Sequence, residues 1–245
     1  MFPIDLNADV GEGCGQDAAL MRCITSANIA CGFHAGDPST MRDTVILARD
    51  HGVAVGAHPS FADRDHFGRR EMHIPHAEVA DLVIRQIIAL AEIALKEGIR
   101  LQHVKPHGAL YNVAVRDRTV ADAIARAVAS VDRSLILFGL PHSALVAAAG
   151  AAGLPSAGEA FADRAYRSDG TLVPRNEPGA VMHDPDEVVA RVAGLASRPD
   201  VDTICVHGDT PGAAELASRI RAGLETANFE VMDLSSSRFR DQRAP

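Results

Sequence analysis

The sequence predicts an α/β fold, an irregular barrel of about seven parallel strands with helices between them. Short β-rich segments alternate with longer segments whose apolar residues recur every three or four positions, which is typical of right-handed βαβ units. The chain has 245 residues, and single (β/α) barrels commonly have about 250. An open, doubly wound sheet would show the same alternation and is the alternative prediction.

Eight segments are predicted as strands because they are short, rich in small or β-branched apolar residues, and bounded by Gly, Pro or polar residues. They cover residues 3–9, 26–31, 53–58, 101–107, 134–139, 156–162, 203–209 and 230–234. Seven or eight βα units in a chain of this length fit a barrel that is complete or lacks one strand.

Six segments are predicted as helices, and they cover residues 38–50, 76–97, 119–131, 143–149, 185–196 and 211–226. Asp37 is the expected N-cap of the first, with Pro38 at its first helical position. Gly98 is expected to end the longest, which carries an apolar stripe. We expect residues 1–234 to form a single barrel domain and the polar residues 235–245 to form a C-terminal tail.

Composition excludes several classes of function. The net charge is −8, with 24 Lys and Arg against 32 Asp and Glu, which argues against binding nucleic acid or an anionic membrane. Aromatic residues make up 4% and Trp is absent, which argues against stacking platforms for bases. No Cys-x-x-Cys pair and no secretory signal is visible, so a cytoplasmic location is expected. Residues 134–158 lack charge but contain Pro and Gly, which favours strand, turn and helix over a membrane span.

Polar side chains alternate with apolar ones in three of the predicted strands. They are Asp5, Asn7 and Asp9 in the first, His103, Lys105 and His107 in the fourth, and His207 and Asp209 in the seventh. Alternate residues of a strand point to the same face, and burying polar groups without partners is costly. Because barrel active sites lie at the carboxyl ends of the strands, the pattern predicts one polar site there.

The sequence lacks several common catalytic motifs. The segment Gly11-Glu12-Gly13-Cys14-Gly15-Gln16 has Gln where the dinucleotide-binding fingerprint needs its third Gly. There is no Walker A loop, no Gly-x-Ser-x-Gly elbow and no His-Glu-x-x-His motif. We therefore expect catalysis by carboxylates, histidines and a lysine, or by a metal ion that they hold.

Longer motifs in this chain resemble the LamB/YcsF family from about residue 4 to about residue 230. They are Asp5-Leu6-Asn7-Ala8-Asp9, Cys31-Gly32-Phe33-His34-Ala35-Gly36-Asp37, Gly56-Ala57-His58-Pro59-Ser60-Phe61, His103-Val104-Lys105-Pro106-His107-Gly108, Phe161-Ala162-Asp163-Arg164, Leu172-Val173-Pro174-Arg175 and Val206-His207-Gly208-Asp209. The resemblance implies a barrel like that of the glycoside hydrolase/deacetylase superfamily. It also implies ATP-dependent cleavage of the lactam 5-oxo-L-proline to L-glutamate, with 5-oxoprolinase subunits B and C as partners. The partners would phosphorylate the lactam and bind most of the ATP, and this chain would open the ring.

Ring opening of a phosphorylated lactam needs an activated water, stabilisation of charge on oxygen, and a proton for the leaving nitrogen. The candidates are Asp9 or Glu12 as the base, with His207 and Asp209 as a paired alternative, Lys105 and Arg164 for the charge, and His107 or His58 for the proton. The candidate substrate-binding residues are Asn7, His34, His58, Arg69, Asp163, Arg164, Tyr166 and Arg175. Of these, Arg69 or Arg175 would hold the substrate carboxylate through a bidentate contact.

Two alternative functions remain open at this stage. Asp9, His34 and His58 come from three strand ends and would suit a zinc-type site with an open position. Deacetylases of the superfamily bind metal, so the chain could be a metal-dependent carbohydrate deacetylase or amidohydrolase. The other alternative is a non-catalytic subunit that only presents 5-oxoproline to its partners.

Overall fold

Seven parallel strands close into a barrel in a computed structural model that describes residues 2–210 and 212–234. The strands are β1 (Phe2–Val10), β2 (Ser26–Ala30), β3 (Ala54–His58), β4 (His103–Val104), β5 (Ile136–Gly139), β6 (Ser156–Phe161), β7 (Thr203–Val206) and β8 (Phe229–Val231). The order runs from β1 to β7, and β1 pairs with both β2 and β7, which closes the ring. β8 pairs with the first residues of β1 as an added strand. The predicted barrel is therefore confirmed, and the open-sheet alternative is wrong.

Helices connect the strands of the barrel. They are α1 (Asp17–Leu20), α2 (Pro38–His51), α3 (His76–Lys96), α4 (Gly108–Arg116), α5 (Arg118–Val131), α6 (Ala144–Ala152), α7 (Pro185–Ala196) and α8 (Ala213–Thr226). The Asp37 side chain accepts a hydrogen bond from the Thr40 backbone N–H at 2.8 Å, so the predicted N-cap is confirmed. None of the described helices is long and apolar enough to cross a membrane. Both the predicted start of the last helix at residue 211 and the predicted tail, 235–245, lie outside the described residues.

The fourth strand is shorter than the predicted segment 101–107. Only two of its residues pair with both neighbouring strands. Pro106 has no backbone N–H and cannot continue the ladder, and α4 begins two residues later. The N–H groups of Lys105 and His107 still donate to carbonyls of β3 and the residues after it, so this segment continues the wall of the barrel.

The two faces of β1 differ in chemistry. Its outward residues pack in the apolar core between strands and helices, and they are Ile4, Leu6, Ala8 and Val10. Its inward residues, Asp5, Asn7 and Asp9, are buried inside the barrel, where they contact polar groups of other strands. The predicted alternation is confirmed, and the barrel encloses a polar interior within an apolar shell.

Candidate functional site

The lowest layer of the barrel interior surrounds Asp5. The hydroxyl groups of Thr25, Ser26 and Thr203 all donate to its carboxylate. Burial raises the pKa of Asp5 to about 6, even though these hydroxyl donors favour the ionised form. Asp5 therefore joins β1 to the start of β2 and to β7, and it has a structural role.

The next layer joins Asn7, Asn28 and His103. Asn28 Nδ2 donates to Asn7 Oδ1 at 2.7 Å, and His103 Nε2 lies 2.8 Å from Asn28 Oδ1. The His103 ring stacks on Phe138 with ring centroids 4.3 Å apart. A β-carbon at Gly56 would lie 2.1 Å from the His103 ring, so only glycine leaves room for this histidine. These contacts support the next layer from below.

Lys105 lies at the centre of the third layer. Its ammonium nitrogen Nζ lies 2.9 Å from Asp9 Oδ1 and 2.8 Å from Glu159 Oε1. The same nitrogen lies 3.0 Å from Cys205 Sγ and 3.2 Å from Asn7 Oδ1. An ammonium group has three protons, and its hydrogen bonds to Asn7, Asp9 and Cys205 use all of them, so the contact with Glu159 is an ion pair only. Lys105 therefore neutralises two buried carboxylates and fixes the position of Asp9.

The ionisation of this layer follows from the ion pairs. Burial alone would raise the pKa of Asp9, but His58 and Lys105 outweigh it and hold that pKa well below its usual range. Burial alone would lower the pKa of Lys105, and its anionic neighbours raise it instead. The layer thus contains an ammonium group paired with the ionised carboxylate of Asp9.

Three imidazole rings form a cluster above Lys105. His34 stacks on His107 with centroids 3.8 Å apart, and His58 meets His107 edge-on at 4.8 Å. His58 Nε2 and His107 Nδ1 lie 2.9 Å apart. Burial and the neighbouring imidazoles hold the pKa of His34 at about 2 and that of His107 well below its usual range. The rings of His34 and His107 are therefore uncharged.

Glu12 completes this cluster from the loop that follows β1. Its Oε1 lies 3.0 Å from His34 Nε2 and 3.5 Å from His107 Nδ1. Burial raises the pKa of Glu12 well above its usual range, and the nearby charges of Asp9 and Asp209 raise it further. Glu12, His34, His58 and His107 each offer one ligand-type atom, and these atoms lie within 4.8 Å of one another. The cluster defined by these four residues is called the histidine cluster below.

His207 stands on the opposite side of the barrel mouth with Asp163 behind it. His207 Nδ1 lies 2.9 and 3.0 Å from the two carboxylate oxygens of Asp163 and donates to them. Burial would raise the pKa of Asp163, but His207 and Arg175 outweigh it and lower that pKa. The predicted pairing of His207 with Asp209 is wrong, because Asp209 instead forms an ion pair with Arg69.

These layers form the floor and wall of a cavity of about 430 Å³. Three guanidinium groups line it, those of Arg69, Arg164 and Arg175. Arg164 donates to the carbonyl oxygens of Ala180 and Val173, which ties down the loop after β6. Arg175 makes no hydrogen bond or ion pair with the residues that the structure describes. An anionic group entering the cavity would therefore find Arg175 available for a bidentate contact.

Most of the predicted site residues line this cavity. They are Asp9, Glu12, His58, Arg69, Lys105, His107, Arg164, Arg175, His207 and Asp209. The other predicted residues lie behind it, and they are Asn7, His34, Asp163 and Tyr166. The Tyr166 hydroxyl accepts from the Phe161 backbone N–H at 2.6 Å, which holds Tyr166 against β6 outside the lining of the cavity.

Sequence reasoning missed two groups of this site. Glu159 lies inside β6 between apolar residues. A polar residue that alternates with apolar ones in a strand is the same pattern that identified Asp9. Tyr111 lies beside it on α4, fully buried, and burial together with Glu159 raises the pKa of its phenol. Cys205 is buried in an apolar cluster with Tyr111 and Phe161, and its thiol also contacts Lys105 inside the barrel.

Comparison with known proteins gives a matching family model and a similar solved structure. The model of the LamB/YcsF family matches residues 4–239. The lactam utilization protein from Thermus thermophilus has a similar structure, with 44% sequence identity and a TM-score of 0.88 over 94% of this chain and 99% of that chain.

More distant structures share the fold alone. The peptidoglycan deacetylase PdaC from Bacillus subtilis is 14% identical, with a TM-score of 0.53 over 99% of this chain and 91% of that chain. The catalytic domain of a peptidoglycan N-acetylglucosamine deacetylase from Eubacterium rectale is 13% identical, with a TM-score of 0.52 over 96% and 90%.

Proposed function

The chain belongs to the LamB/YcsF family, and we propose that it opens the lactam ring of 5-oxo-L-proline to give L-glutamate. In this proposal ATP is a co-substrate, and 5-oxoprolinase subunits B and C are the partner proteins. The name of the Thermus relative, a lactam utilization protein, supports a lactam as substrate. The lack of a Walker A loop in the sequence supports binding of ATP mainly by the partners.

The observation that carries the proposal is a cavity with an unpaired cation on one wall and an oriented imidazole on the other. 5-Oxoproline is a small anion, and its phosphorylated form carries further negative charge. Arg175 can bind the substrate carboxylate, and Arg69 and Arg164 add positive potential around it. The cavity thus matches a small substrate with anionic groups.

His207 is the general base in this proposal. Its Nδ1–H donates to Asp163, which fixes the tautomer and leaves Nε2 with a lone pair. His207 lines the cavity, and Nε2 has no hydrogen-bond partner among the described residues. A carboxylate that orients a histidine in this way stabilises the imidazolium formed when the histidine takes a proton.

The chemical step can be written with these groups. Phosphorylation of the lactam carbonyl oxygen by the partners removes the resonance that protects the ring. Water adds to the carbon of the C=N bond in this phosphorylated lactam while His207 takes one of its protons and passes it to the ring nitrogen. The carbon–nitrogen bond then breaks as the new hydroxyl group becomes a carbonyl, and His207 carries the hydroxyl proton to the nitrogen, which leaves as the amine. The resulting acyl phosphate is hydrolysed to L-glutamate and inorganic phosphate. Asp9, held by Lys105, adds a fixed negative charge beside the developing imidazolium.

A reconstitution experiment tests this proposal. Glutamate and ADP would be measured from 5-oxoproline and ATP with this chain alone, with subunits B and C alone, and with all three proteins. We expect coupled formation of glutamate and ADP only in the full mixture. Equal glutamate formation with and without this chain would contradict the proposal. Release of acetate from an acetylated sugar without ATP would instead favour a deacetylase.

A further inference from the structure

One nitrogen of His58 and one of His107 face each other inside the histidine cluster. His58 Nδ1 lies 2.7 Å from the carbonyl oxygen of Lys105, and His107 Nε2 lies 2.8 Å from that of Phe67. A carbonyl oxygen can only accept, so each of these nitrogens carries the ring's proton. In neutral rings, the lone pairs of His58 Nε2 and His107 Nδ1 therefore meet at 2.9 Å. Such a contact repels unless a cation lies between the two nitrogens.

The contact between His34 and Glu12 also needs a cation or a proton between its two atoms. The Ser60 hydroxyl donates to the carbonyl oxygen of Phe61 at 2.9 Å, so it accepts a hydrogen bond from His34 Nδ1. His34 Nε2 is then left with a lone pair, and it lies 3.0 Å from the carboxyl oxygen of Glu12. A proton or a metal ion between His34 Nε2 and the Glu12 carboxyl oxygen would satisfy both atoms, and this contact lies beside the pair formed by His58 and His107.

We propose that Glu12, His34, His58 and His107 bind one divalent first-row transition metal ion of the zinc type. Imidazole nitrogens and a carboxylate oxygen are suitable ligands for such an ion, at distances of about 2.0–2.2 Å. Two ligand atoms at that range are separated by about 2.8–3.1 Å at a ligand–metal–ligand angle of 90° and by about 3.3–3.6 Å at the tetrahedral angle. The separations of 2.9 and 3.0 Å match the first of these spacings and that of 3.5 Å matches the second, which fits a distorted site.

The groups around the cluster are arranged as metal-binding histidines require. Ligating histidines usually donate their second N–H to a carbonyl, carboxylate or other acceptor, which fixes the ring and its tautomer. Here two backbone carbonyls and the Ser60 hydroxyl provide these acceptors. Phe67, whose carbonyl holds His107, has a left-handed backbone with φ 56°, a strained conformation for a residue with a side chain. A β-carbon at Gly68 would lie 2.9 Å from His34 Cβ, so this loop packs tightly over the cluster.

The proposed ligands differ from the set expected from the sequence, Asp9, His34 and His58. Asp9 Oδ1 is 3.4 Å from His58 Nε2, but the same oxygen accepts from Lys105 and from Asn28, both at 2.9 Å. Asp9 is therefore committed to the ammonium group. Asp9, Cys205 and His207 also bring ligand-type atoms together, but Lys105 already contacts two of the three. That second group does not fit a metal ion, because a cation occupies it.

Three members of the histidine cluster, Glu12, His58 and His107, line the cavity. A bound ion would therefore be reached by a substrate, and it would act as a Lewis acid toward an oxygen there. The inference concerns the chain by itself and does not rest on the proposed lactam substrate. The competing explanation is a proton held between His58 and His107.

The test measures metal binding by the isolated chain without ATP, substrate or partner proteins. Protein treated with a chelator would be dialysed against buffered Zn²⁺ and analysed for metal, and Co²⁺ would serve as a spectroscopic probe. We expect one equivalent of Zn²⁺, a visible Co²⁺ absorption band, and a higher Tm with Zn²⁺. His58→Gln and His107→Gln should each weaken binding at least tenfold, whereas His51→Gln, which changes an exposed histidine on α2, should not.

Two results would overturn the proposal. One is well under one equivalent of Zn²⁺ bound to chain whose circular dichroism shows an intact fold. The other is Zn²⁺ binding that is unchanged in folded His58→Gln protein. If the variants do not fold, ¹⁵N NMR of the wild-type histidines decides the question. Zn²⁺ should shift the His58 and His107 signals, whereas signals of a protonated imidazole that ignore Zn²⁺ would establish the shared proton instead.

Discussion

Replacing Lys105 with Met tests whether one cation supports the polar interior of the barrel. Lys105 Nζ lies 2.9 Å from Asp9 and 2.8 Å from Glu159, whose side chain has no exposed surface. Met preserves most of the side-chain volume but leaves two buried carboxylates without their ammonium partner. Removing one partner of a buried ion pair typically costs about 3–5 kcal/mol. We therefore expect the free energy of unfolding of Lys105→Met to fall by that amount.

Urea denaturation followed by circular dichroism measures this loss, with a chelator present so that bound metal does not contribute. Lys96, the other lysine of the chain, lies exposed at the end of α3, and Lys96→Met should change stability by less than about 0.5 kcal/mol. Glu159→Gln should cost less in the Lys105→Met background than alone, because it removes a carboxylate that has lost its partner. A loss below about 1 kcal/mol for Lys105→Met, or strictly additive effects, would refute the reasoning.

Three further predictions concern pH, packing and binding. Burial raises the pKa of Asp5 to about 6, so the stability contributed by its protonated form is lost as pH rises from about 4 to 7. Over this range, urea denaturation should show that the free energy of unfolding of wild type falls by about 2–3 kcal/mol more than that of Asp5→Asn. Equal pH dependence would contradict this assignment. Gly56→Ala places a β-carbon 2.1 Å from the imidazole ring of His103 and should lower the free energy of unfolding by about 1–3 kcal/mol or more. The control Gly194→Ala adds a β-carbon in open space on α7 and should be neutral or stabilising. Arg175→Gln should raise the KM for 5-oxoproline about tenfold or more in the reconstituted mixture. The control Arg167→Gln should leave KM unchanged, because Arg167 already pairs with Glu177. Equal KM values for Arg175→Gln and wild type would show that Arg175 does not bind the substrate.

The barrel and the inward face of β1 could be predicted from the sequence because they depend on local patterns. Polar and apolar residues alternate in β1, which places its buried carboxylates on the face opposite the apolar one. Asp37 and Pro38 mark the start of α2. The same reasoning made the fourth strand too long, since Pro106 interrupts its ladder while leaving the polar alternation intact. α4 was missed because its nine residues are too few for a clear helical period, and they include Tyr111 and two valines with lower helix propensity.

The partners within the site could not be predicted from spacing in the sequence. His207 donates to Asp163, which is 44 residues away, although Asp209 is closer in the chain and lies on the same predicted face. The pairing depends on how β6 and β7 lie side by side and on where their loops turn. The ligand-type atoms of the histidine cluster likewise come from separate segments, and only the closed barrel shows that they face one another.

The most direct measurement of the proposed role of His207 is turnover of the reconstituted mixture with His207→Gln. Glutamine keeps the polarity and approximate size of the side chain but cannot take a proton from water. Glutamate formation should fall at least about 100-fold, within the range for loss of a general base, whereas His51→Gln should retain wild-type turnover. Turnover of His207→Gln within about threefold of wild type would contradict the assignment of His207 as the base that opens the ring.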